Sequence, residues 1–126
     1  MSQSTQKDAE LLIQLFQLLF SRPEMMDAFN FVMELENTNY EDFAKSHPIG
    51  SQGWNHFIYL GSFYELVGVL VKYVTINEDM VFDSLYLAWD KLGPIVKGFQ
   101  KAMGSPHWLE NYEYLAKKKA EWRKNR

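Results

Sequence analysis

Cysteine is absent from the chain. That removes disulfides, thiol chemistry and cysteine-rich zinc sites together, and it is compatible with a reducing cytoplasm. Catalytic signatures are absent as well: there is no G-x-S-x-G, no P-loop and no G-x-G-x-x-G. No enzyme activity is assigned on this basis. Histidine is scarce, and His47, His56 and His107 belong to no Glu-x-x-His or His-Glu-x-x-His pattern, so no metal and no cofactor is expected. The first ten residues, MSQSTQKDAE, lack a basic region followed by an apolar run, so no secretory signal is expected. No alternating strand pattern, internal repeat or low-complexity segment stands out. The class is therefore all-α.

What is present is a normal apolar share, 47%, with a high aromatic share of 16%. Large side chains between helices can supply much of a small core. At 126 residues, one domain spanning 1–126 is expected, a compact bundle of about six helices. Charge is uneven. The last ten residues, KKKAEWRKNR, hold six of the thirteen basic residues and one acid; the remainder carries seven basic and fifteen acidic residues. An acidic body argues against nucleic acid as a partner. The basic end, from about residue 117, can complement a helix dipole or make a weak contact with an anionic surface.

The stretch 54–74, WNHFIYLGSFYELVGVLVKYV, organises the chain. Phe57, Gly61, Tyr64, Gly68 and Val71 share one helical stripe. Leu60, Phe63, Val67, Leu70 and Val74 make a second, and Tyr59, Leu66 and Tyr73 a third. Only the row of Ile58, Ser62, Glu65, Val69 and Lys72 is mixed. A helix apolar nearly all round belongs in a core, an oligomer interface or a membrane. A membrane span is not favoured, because Glu65 falls mid-span. Gly61 and Gly68 each cost about 1 kcal/mol against alanine, which points to close approach of a neighbouring helix. Glu65 needs a partner if buried: it is a structural acceptor for another helix, or the polar group of a binding site.

The flanking chain reads as further helices. Ser4 or Thr5 caps the first, with Leu11, Leu12, Leu15, Leu18 and Leu19 inward, widened by Ile13, Phe16 and Phe20. Pro23 opens a second, which runs to about Glu36 over Met25, Met26, Phe29, Val32 and Met33. Asn37-Thr38-Asn39 is a turn before a short helix near 40–45, and 46–53 is a loop. Asn77 caps a helix carrying Val81, Phe82, Leu85, Tyr86 and Trp89, and Gly93-Pro94 is expected to break it or to start a new helix with Ile95, Val96, Phe99 and Met103 inward. The last helix is expected from about His107 to Lys124, with Trp108, Leu109, Tyr112 and Leu115 on its apolar side and Trp122 extending it.

Several of these stretches carry a resemblance. Phe63, Tyr64, Glu65, Gly68, Leu70, Val71, Lys72, Ile76, Asp79, Val81, Phe82 and Asp83 match an F-Y-E-x-x-G-x-L-V-K … D-x-V-F-D pattern. Trp89, Lys91, Leu92, Pro94 and Ile95, and then Asn111-Tyr112-Glu113-Tyr114-Leu115-Ala116, look like two further motifs of the same set. Together they resemble a family of uncharacterised, mostly bacterial all-helical proteins classed as a domain of unknown function. The resemblance implies a helical fold and brings no activity or cofactor with it. It draws attention to Glu65, Asp83 and Glu113 as acids in matching stretches.

The expected function is a non-enzymatic protein-interaction domain in the cytoplasm, self-associating through a helix face. Its motivation is a surplus of large apolar residues, including Met25, Met26 and Trp122. The alternative is a small-molecule or peptide binder with a pocket lined by Tyr59, Tyr64 and Trp89, with Glu65 as its polar group.

Overall fold

Four helices begin where a side chain takes a free N–H group. In the computed structural model, which describes residues 5–36, 39–73 and 75–126, Thr5 and Asp8 form a reciprocal capping box at the start of α1 (Gln6–Phe20). Pro23 stands at the first position of α2 (Pro23–Met33), where its missing N–H costs nothing. Asn39 caps α3 (Tyr40–Ser46), Ser51 caps α4 (Gln52–Lys72) and Asn77 caps α5 (Glu78–Ser84), each through its side-chain oxygen. Two helices start differently. Ala88 before α6 (Trp89–Met103) and Leu109 before α7 (Glu110–Lys124) are left-handed residues with no capping side chain. The expected cap at Ser4, the turn residues Asn37 and Thr38, and the helix end at Val74 lie outside the described residues.

The described residues hold seven helices, one more than the patterning suggests. The extra one arises between α5 and α6. Gly93-Pro94 does not break the chain there: Pro94 sits inside α6, one turn past its start. The break falls at residues 85–88, which are not helical: Leu85 is extended and Ala88 left-handed. A proline costs a helix one bond, here the one that would close on the Asp90 carbonyl. The segment 85–88 instead leaves three successive carbonyls, and each finds a donor from outside it, as described below. The second helix also ends earlier than expected, at Met33, and the last begins later, at Glu110.

α4 is the axis of the bundle. It lies between α2 on one side and α7 on the other, while α3 packs on α6, and α1 on α2 and α5. Its first stripe, Phe57, Gly61, Tyr64, Gly68 and Val71, is wholly buried, and so are Leu60, Phe63 and Val67 of the second. Tyr112 and Leu115 of α7, Leu92 and Ile95 of α6, Val32 of α2 and Leu19 of α1 meet them in one core. Burying each such side chain stabilises the fold by about 1.5–3 kcal/mol.

Three inward assignments are overturned. Ile13 and Phe20 of α1 are exposed, because the helices that touch α1 cover only the side carrying Leu15 and Leu19, and Met103 is exposed as the last residue of α6, next to the Gly104 that ends it. The largest departure is in α4. Its third row, Tyr59, Leu66 and Tyr73, is 47%, 42% and 70% exposed, so the helix is buried on two sides and open on the third.

Candidate functional site

α7 needs an outside acceptor because Leu109 offers none to its first turn. Glu65 supplies it. One carboxylate oxygen accepts the backbone N–H groups of Asn111 (3.0 Å) and Tyr112 (2.9 Å), and the other accepts the Asn111 side-chain amide at 2.7 Å. The remaining two amides of that turn, Glu110 and Glu113, close on the carbonyls of His107 and Leu109. A carboxylate at this end of a helix also complements its dipole.

The two glycines of α4 flank this contact. A methyl group on Gly68 would stand 2.1 Å from the Asn111 carbonyl oxygen, and one on Gly61 would stand 3.1 Å from the Leu109 side chain. The G-x3-E-x2-G spacing thus seats the start of α7 on α4: glycine gives access for the backbone, and the acid between receives it. Lys72 completes the stripe, its ammonium 3.4 Å from the Asn111 side-chain oxygen. Glu65 is half-buried, and both its oxygens are engaged.

A second network holds the non-helical segment 85–88. The Leu85 carbonyl accepts from the Lys119 ammonium at 2.8 Å, the Tyr86 carbonyl from the Tyr64 hydroxyl at 2.7 Å, and the Leu87 carbonyl from the Tyr112 hydroxyl. The Tyr64 and Tyr112 rings stack at 4.9 Å, and Trp89 meets Tyr112 edge-on at 4.8 Å. Burial pushes the Tyr64 and Tyr112 phenols well above the usual tyrosine range, helped by nearby Tyr86 and Asp90. The shift favours the protonated, hydrogen-bond-donating form of both phenols. Burial, then Asp90, raises Tyr86 to about 12; its hydroxyl donates to Asp90 at 2.6 Å.

The acids singled out in the sequence are therefore not brought together. Glu113 lies on α7, where burial raises its pKa but hydrogen bonds from Lys97 (2.8 Å), Lys117 and Gln100 outweigh this and hold it below the usual carboxylate range. Asp83 is exposed on α5 and pairs with Arg126. Trp122, beside it, donates to Asp79 at 2.7 Å and lies under the Arg126 guanidinium, so the basic end of the chain folds back on the acidic α5. Met25 and Met26 are half-buried in α2. Of the expected pocket residues, Tyr59 faces outward, Tyr64 is buried, and Trp89 borders a shallow cleft of about 280 Å³ with Tyr86, Asp90, Lys119 and Arg123.

Sequence reasoning missed Lys119 and the two phenols as ligands of a buried backbone. The tyrosines carried a signal, since a phenol on a fully apolar stripe must find an acceptor. Lys119, in a run of three lysines, carried none. Among the described residues no group of three or more His, Asp or Glu is placed to hold a metal, and no helix is long and apolar enough to cross a membrane.

The architecture is that of an all-helical domain built around one buried helix. The family model described as "Domain of unknown function (DUF4760)" matches residues 4–122, and the chain belongs to that family. No curated protein and no solved structure matches it.

Proposed function

We propose that the protein is a non-enzymatic interaction domain that works in the cytoplasm and docks a protein partner on the open face of α4. One observation carries this reading. Of the seven exposed residues from 52 to 73, Gln52, Asn55, Tyr59, Ser62, Leu66, Lys72 and Tyr73, only Lys72 is charged, and three are large and apolar or aromatic. Three large apolar or aromatic side chains aligned on one uncharged row of the longest helix are the surface feature best suited to an apolar contact with a partner. The polar groups nearby support the same reading. Glu65, Tyr64 and Tyr112 are spent on the backbone of neighbouring segments, and Glu113 and Asp83 on ion pairs. The absence of cysteine fits a reducing compartment.

The test is a photo-crosslinking amino acid placed at Leu66 in living cells of the source organism, with exposed Lys101 as the control position. The reading expects protein adducts from position 66 and none from 101. Equal yields at both positions, or none at 66, would contradict it.

A further inference from the structure

The end of α7 and the acidic α5 enclose a cleft of about 510 Å³, and that cleft already holds a guanidinium, the one of Arg126. Trp122 is its aromatic wall. The indole N–H donates to Asp79 at 2.7 Å, and the buried Phe82 ring meets the indole at 5.4 Å, so α5 fixes the ring at two points. The Arg126 guanidinium stands 4.4 Å from the centre of that ring and pairs with the Asp83 carboxylate. An aromatic face beside a carboxylate attracts a planar cation twice, through the ring quadrupole and through charge.

Arg126 does not use up the charge of the cleft. Among the described residues, four carboxylates line it, those of Glu78, Asp79, Asp83 and Glu121, against two cations, Lys118 and Arg126. Asp79 is spent on Trp122 and Asp83 on Arg126, whereas Glu78 and Glu121 have no partner among the described residues. The Arg126 and Asp83 side chains are 54% and 58% exposed. Exposed pairs of this kind hold weakly, so a second guanidinium can take the same place. We propose that the cleft is a receptor for an arginine side chain of a basic protein segment, and that Arg126 is its built-in occupant, which the incoming arginine displaces. The lining selects the form of the ligand. Free arginine would carry its own carboxylate toward a surplus of carboxylates; an arginine within a peptide brings none. The inference does not draw on the open face of α4.

The test uses Arg126→Ala, which removes the occupant at an exposed position; circular dichroism verifies that the helices remain. The probe is N-acetyl-arginine amide, an arginine with no free carboxylate. It is titrated through the millimolar range into the parent and the variant. Binding is read by nuclear magnetic resonance at the Trp122 indole N–H, identified by its loss in Trp122→Phe. The expected result is a saturable shift in Arg126→Ala, with a midpoint about tenfold lower than in the parent because the competing side chain is gone. N-acetyl-arginine, which keeps its carboxylate, is expected to bind more weakly, and Asp83→Asn added to Arg126→Ala is expected to remove most of the binding. No saturable shift in Arg126→Ala would overturn the receptor. Equal midpoints in parent and variant would overturn Arg126 as its occupant. Binding that is undiminished by Asp83→Asn would place the probe elsewhere and overturn the proposal as well.

Discussion

Glu65 and Gly68 set the most local test of how α7 is seated. Replacing Glu65 with glutamine leaves one oxygen where two backbone N–H groups and an amide now converge, and turns an NH2 group toward donors. The expected loss is about 1–3 kcal/mol, the range for breaking charge-assisted bonds, read as a lower urea midpoint. The glycines should separate sharply. Gly68→Ala forces a methyl group into the Asn111 carbonyl and should cost about 1–3 kcal/mol or more. Gly61→Ala meets only the end of a leucine side chain, and the gain in helix propensity of about 1 kcal/mol should leave it near neutral. Equal effects in a urea titration would contradict the seating described here. Glu113 adds a pH dependence. Its folded pKa is depressed, so its contribution is complete above the unfolded value of about 4.5 and is lost as the pH falls through the folded value. Glu113→Gln should therefore lower stability at neutral pH, with the difference from the parent closing in acid. Asp8 is held low in the same sense, by the Thr5 hydroxyl first and then the Thr5 backbone N–H, with burial opposing and the Asn77 N–H adding a lesser lowering.

At the scale of elements, the break between α5 and α6 is the feature that the sequence hides. Local chemistry favoured Gly93-Pro94, because proline interrupts the ladder wherever it stands. The outcome was decided by residues more than twenty positions away: Tyr64, Tyr112 and Lys119 take the carbonyls of 85–87. Such donors are invisible to a reading of windows. By contrast, Thr5, Pro23 and Asn77 marked helix ends correctly, since a cap acts within three residues of itself. The paired glycines around Glu65 were legible as a close approach, but not which helix approached. Tyr64→Phe and Tyr112→Phe should each leave a buried or half-buried carbonyl without its donor, at about 1–3 kcal/mol. Hydrogen exchange should then quicken at 85–88 and at the first turn of α6 before it does so in α4. Unchanged protection there would show that the phenols do not hold the segment.

The whole molecule is a bundle whose central helix has two closed sides and one open one. Periodicity made α4 legible as a helix apolar nearly all round, and that same description covers a helix enclosed in a core and one that meets a partner. The choice between them depends on how many neighbours the chain can fold around it, which no local pattern records. Here α2 and α7 cover two sides, and Tyr59, Leu66 and Tyr73 are left on the third. The account holds that this third side is completed by another protein chain. Its most direct measurement is a photo-crosslinking scan in cells, with the crosslinking amino acid placed in turn at exposed positions of α4 and of α1. The account predicts protein adducts from Tyr59 and Leu66 and none from the exposed Ile13 and Phe20 of α1. Adducts from α1 alone, or none from α4, would contradict the docking role of this face.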